Sequence, residues 1–208
     1  MAITINGDGT LTGISVGGLP DGIVDTDMLA TDAVSAAKLK SDAIAAGDLP
    51  AGSILQIQHA LKTDPQIIQN TTAKVDITDL TATITPAANS SKIIVLLNMF
   101  VGTTSQAYWG IHIFRGTTEL FQGDAYSSNN RDFFGTQGGT NYENHSVSGC
   151  YVDDSHNSGG TAITYKVSVD TPWSSTYKAH INHSGATTDG NSYMSRGSSS
   201  LILMEVAG

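Results

Sequence analysis

From residue 14 to residue 54 an aliphatic side chain recurs at every fifth position: Ile14, Leu19, Val24, Leu29, Val34, Leu39, Ile44, Leu49 and Ile54. The stretch "GIVDTDMLATDAVSAAKLKSDAIAAGDLPA" (22–51) reads as three ten-residue units. Val24, Val34 and Ile44 fall in one column, Leu29, Leu39 and Leu49 in another. Five residues advance an α-helix by about 500°, so such a stripe winds round the whole cylinder. On a strand an odd spacing changes face at every step. Neither element buries the series. The pattern instead predicts a composite unit, a short helical turn capped by Asp25 or Ser35 followed by an extended step. Burying one Leu or Ile contributes roughly 1.5–3 kcal/mol, while fixing five backbones costs about 5–10 kcal/mol. A lone chain offers these side chains nothing to pack on. Identical chains wound about one axis do, because each level gathers a ring of like residues. A disordered Ala/Ser/Asp linker would not hold nine aliphatic residues in register.

From about Ser53 the period changes to two. In "TAITYKVSVD", Ile163, Tyr165, Val167 and Val169 face one way and Thr164, Lys166, Ser168 and Asp170 the other. "YKAHINH" places Tyr177, Ala179 and Ile181 inward and Lys178, His180 and Asn182 outward. "KIIVLLNMFVG" is apolar on both faces, as in a central strand, and "AYWGIHIFRGTTELF" predicts a hairpin turning between Arg115 and Thr118. With "ILQIQHA", "AKVDIT", "TATIT", "HSVSGCYV" and "SLILMEV" this makes about nine strands. The expected fold is therefore an all-β C-terminal domain, a jelly-roll-like β-sandwich over 53–208, behind a fibrous stalk over 21–52 and a leading segment 1–20. The Gly/Ser/Asn-rich stretches 123–144 and 184–199 exceed ordinary connections and point to function.

Composition narrows the partners. The chain carries a net charge of −9, with ten Lys and Arg and no basic stripe, which argues against nucleic acid and anionic membranes. "IIVLLNMFV" is too short to span a bilayer, so no membrane insertion is expected. "MAITINGDG" lacks the charged and apolar regions of a signal peptide, which predicts synthesis in the cytoplasm. Cys150, the single cysteine, allows no internal disulfide and reads as a small buried strand residue.

The motifs of catalysis are missing. There is no G-x-S-x-G elbow, no phosphate-binding glycine loop and no calcium loop with a closing Glu. His180 and His183, three apart on a strand, fall on opposite faces, and His112, His145 and His156 have no chelating spacing, so neither a metal nor another cofactor is expected. Tyr126, Arg131, Phe133, Phe134 and Tyr142 gather in one loop region, a composition suited to sugar stacking or protein contact. Phe133 and Phe134 fit equally well as plugs into the core or a subunit interface.

The leading "MAITINGDGTLTGISVGGLPDGIVDTDMLATDAVSAAKL", together with "SKIIVLLNMFV" and the closing "SSSLILMEVAG", resembles the tail-fibre and virion structural proteins of tailed bacteriophages, notably cyanophages and other marine phages. The resemblance implies a homotrimer located in the virion. Its N-terminus would dock on a tail or baseplate protein, and its β-domain would meet a host surface glycan or protein. A capsid-decorating head fibre or cement protein is the alternative, and a small glycan hydrolase or esterase a remote one.

Overall fold

The structure, a computed structural model, describes residues 4–5, 7, 11–12, 31, 34–35, 39, 44–69, 71–103, 107–139, 143–172, 176–185 and 195–208. The chain divides into two compact units, Met1–Ala45 and Ala46–Gly208. In the first, β1 (Thr4–Ile5) pairs antiparallel with β2 (Leu11–Thr12). Ile14, Leu19, Val24 and Leu29 lie outside the described residues. Val34, Leu39 and Ile44 are described, and all three are exposed.

The second unit opens with a 3₁₀ turn, Ala46–Asp48, so the last residues of the five-residue series belong to the same unit as the strands that follow. Those strands are β3 (Ile54–Lys62), β4 (Gln66–Gln69), β5 (Thr71–Ile84), β6 (Lys92–Thr103), β7 (Tyr108–Arg115), β8 (Thr118–Leu120), β9 (Phe134–Gln137), β10 (Asn144–Asp153), β11 (Ile163–Thr171), β12 (Lys178–Ile181) and β13 (Ser199–Val206). They form two antiparallel sheets. The large sheet runs β3-β13-β6-β12-β4, with β10 on the other side of β6. The small sheet runs β5-β11-β7-β8, with β9 also on β7. Inward residues of both sheets build one core. Ile93, Val95, Leu97, Met99 and Val101 of β6 meet Trp109, Ile111 and Ile113 of β7 and Tyr165, Val167 and Val169 of β11. This is the architecture of a β-sandwich. Among the described residues no helix is long and apolar enough to cross a membrane.

Two local features depart from the period-two reading. "AKVDIT" and "TATIT" are one strand, β5, interrupted by a bulge at which Lys166 pairs with Thr81 but Ser168 with Asp76. Asp79 sits there at φ 61°, and the extra residues let both Ile77 and Leu80 point inward despite their odd spacing. At the end of β12, Asn182 adopts φ 63°, so strand alternation stops at Ile181. His180 and His183 therefore do not face opposite ways. Their rings meet edge to face at 4.6 Å, with Nδ1 of His180 3.3 Å from Nε2 of His183. His180 is outward on β12 yet buried, because the chain turning at Asn182 lays His183 against it. Burial lowers the His180 pKa to about 4, helped by His183 and Lys178. The Asn182 amide donates to the carbonyls of Lys62 and Asp64, and its oxygen accepts from Ser199 Oγ at 2.6 Å.

Candidate functional site

The loop joining β8 to β9 carries most of the residues singled out for binding. Its tip is a turn in which the Asn129 amide donates to the Tyr126 carbonyl, with Ser127 at φ 52°. Tyr126 stands 77 % exposed at that tip. Arg131 closes the base of the loop: its Nε donates to the Gly123 carbonyl at 2.7 Å, and its own carbonyl accepts from Gln122. It staples the loop to itself. Phe133 turns under the loop, packs on the core and meets Tyr151 edge to face at 5.1 Å. Gly149 on β10 makes room, since a Cβ there would run into the Phe133 ring. Phe121 stacks on Tyr151 at 5.0 Å, so three aromatics gather here. Phe134 is half open and lies 5.9 Å from Trp109. Tyr142 lies outside the described residues.

Between loop and sheet runs a polar groove of about 410 Å³, lined by Tyr108, Ser128, Asn129 and Asn130. Tyr108 joins it from the outward face of the small sheet. Here the alternation read from "TAITYKVSVD" holds, yet outward does not mean solvated: Ser168 and Asp170 are buried beside His112. Gly110 of β7 faces Gly135 of β9, and the absence of side chains lets Asp132 lie across both. Tyr108 donates its hydroxyl to Asp132 Oδ2. Burial and this carboxylate push the Tyr108 phenol up to about 12. Burial also raises Asp132, with Tyr108 and His112 opposing it.

His112 Nδ1 is 2.6 Å from Glu119 Oε1, whereas its Nε2 is 3.5 Å from one oxygen of Asp132 and 3.5 Å from one of Asp170. Burial would raise Glu119, but hydrogen bonds from Lys74, Gln122 and His112 outweigh it and hold the group ionised. Three residues from a strand, a loop and a second strand thus converge where the histidine spacings predicted no such cluster.

The outward face of the large sheet is of the opposite kind. Ile57 and Leu61 of β3, Val152 of β10 and the half-buried Leu96, Ile202 and Met204 form an apolar surface with a shallow groove over β6. Ile57 pairs with Met204 and Cys150 with Leu96, so the patch is contiguous across four strands. Cys150 is exposed on this face, not buried. It pairs on an outward row, while its neighbour Val147 takes the inward one.

No family model matches the chain, and no curated protein matches it. Among solved structures, that of infectious bursal disease virus, Gx strain, is similar over 76 % of this chain and 39 % of that one, with 13 % identity and a TM-score of 0.37. The chain spans about two fifths of that neighbour's length, and so distant a likeness bears on neither activity nor partners.

Proposed function

We propose that the chain is a non-enzymatic structural protein of a tailed-phage virion, a short homotrimeric fibre. Residues 1–20 dock on a tail or baseplate protein, 21–52 form the intertwined stalk, and the β-domain attaches to a host surface glycan or protein. The observation that carries this reading is the state of the five-residue series. Val34, Leu39, Ile44, Leu49 and Ile54 are between 38 and 56 % exposed in the single chain. Side chains of this kind, evenly dealt and left open, are what partner copies around a common axis would cover. The row is continued in sequence by Ile57 and Leu61, each more than half exposed. Fully extended, the 32 residues of the stalk reach about 110 Å, and about half that if helical.

Host contact falls to the groove beside Tyr126. Amides and hydroxyls from Tyr108, Ser128, Asn129 and Asn130 supply both donors and acceptors, and an exposed tyrosine supplies a stacking face. Three weak copies of such a site gain strength through avidity. The test is fluorescently labelled full-length protein applied to candidate host cells, cyanobacteria first, with and without prior phage infection. Specific binding, blocked by the infecting phage and weakened about tenfold or more by Tyr126→Ala together with Asn130→Ala, is expected. Protein that binds no host cell, with antibody label on the capsid rather than the tail, would replace this reading with capsid decoration.

A further inference from the structure

We propose that His112, Asp132 and Asp170 form a site for a divalent transition-metal ion of zinc-like preference, which pins the loop between β8 and β9 onto the small sheet. The inference rests on the geometry of these residues and not on the phage reading. His112 is 1 % exposed, and its Nε2 has no hydrogen-bond partner among the described residues. Glu119 takes the hydrogen of Nδ1, which leaves the Nε2 lone pair aimed at the two carboxylates. A histidine held this way by a carboxylate behind it is the arrangement that orients and strengthens an imidazole ligand.

The spacing fits the ion. Ligand arms of about 2.0–2.1 Å at tetrahedral angles place donor atoms about 3.3–3.4 Å apart. Nε2 lies 3.5 Å from Asp132 Oδ1 and 3.5 Å from Asp170 Oδ1, and all three donor atoms lie within 4.8 Å of one another. The charge fits too. Asp132, Asp170 and Glu119 bring three carboxyls to one buried spot, and Lys74, paired with Glu119, is the cation at hand. One imidazole with two carboxylates suits zinc, manganese or iron(II) better than calcium, which prefers an all-oxygen shell. The backbone has made room for the arrangement: a Cβ on Gly110 would lie 2.7 Å from Asp170 Oδ1 and 2.8 Å from Asp132 Oδ1.

The consequence is mechanical. Asp132 belongs to the loop, whereas His112 and Asp170 belong to β7 and β11. An ion shared by all three therefore ties the loop, and with it the groove at Ser128 to Asn130, to the rigid sheet. The full-length protein, without a histidine tag and stripped with chelator, is titrated with Zn²⁺ by calorimetry and with Co²⁺ by visible absorption. One saturable ion per chain is expected, with ligand-field bands from the bound cobalt. Affinity falls at least about a hundredfold in Asp132→Asn and in His112→Gln and stays unchanged in His183→Gln. Circular dichroism verifies folding; if His112→Gln does not fold, Asp132→Asn, in the loop, decides alone. Absence of saturable binding, or binding that survives these substitutions, overturns the proposal.

Discussion

The two sheets of the β-domain present opposite surfaces on their outward rows. On the large sheet Ile57, Leu61, Val152, Ile202 and Met204 are apolar and open or half open. On the small sheet His112, Ser168 and Asp170 are polar and buried. Each inverts the usual relation between polarity and exposure. On the small sheet the remedy is internal: Ser168 donates to Asp76, Asp170 accepts from the Gly110 backbone N–H, and the loop brings Asp132 to 3.5 Å from His112. On the large sheet Ile57, Leu61 and Val152 stay open, and the remedy in the proposed fibre is another copy. In the proposed fibre one face is completed by the chain itself, the other by its assembly.

The largest effect should come from charging the open row. Ile57→Asp with Leu61→Asp removes six aliphatic contacts from a trimer. At roughly 1–1.5 kcal/mol for the half of each side chain still to be buried, this costs about 6–9 kcal/mol per trimer before the buried charge is counted. The double variant is expected to sediment as a folded monomer. If it remains a trimer, the large-sheet face is not part of the interface.

Acid is the next lever. Unfolded, His180 binds its proton near 6.5, and folded near 4. Between those values the unfolded chain holds the extra proton, so stability is complete above about pH 6.5 and declines as pH falls. By pH 4 this one group has removed up to roughly 3 kcal/mol. Urea midpoints measured from pH 7.5 to 4 should drop along this course, and His180→Gln should flatten the slope.

Smaller still is Gly110→Ala on the covered face. The new methyl group meets both carboxylates, and about 1–3 kcal/mol of stability is lost, read as a lower melting temperature. Its counterpart on the bare face, Cys150→Ser, should cost less than about 0.5 kcal/mol in the monomeric variant, since that side chain is open. Thiol labelling sharpens the contrast: Cys150 should react freely in the monomer and be shielded in the trimer.

Much of this fold is written locally. The alternation in "TAITYKVSVD" and "KIIVLLNMFVG" gives the inward rows of β11 and β6, and Gly116 at φ 59° turns the β7–β8 hairpin where it was expected. Where the sequence misleads, a non-local partner or one unusual dihedral is responsible. Asp79 hides the unity of β5, and Asn182 brings together two histidines that regular alternation would separate. The short strands β4 and β9 carry no periodic signal, being four residues each. The candidate site is the least legible part. Tyr126 and Arg131 announce themselves by composition, but His112, Asp132 and Asp170 come together only through the β7–β11 register and the closure of a loop. No spacing rule encodes that closure.

The molar mass of the 208-residue chain in solution tests the central claim most directly. Light scattering coupled to size exclusion at micromolar concentration should return three times the 21.7 kDa of one chain. A well-ordered species at 21.7 kDa would contradict it. The aliphatic row from Val34 to Ile54 would then be open to water in the native protein, and neither stalk nor fibre would stand.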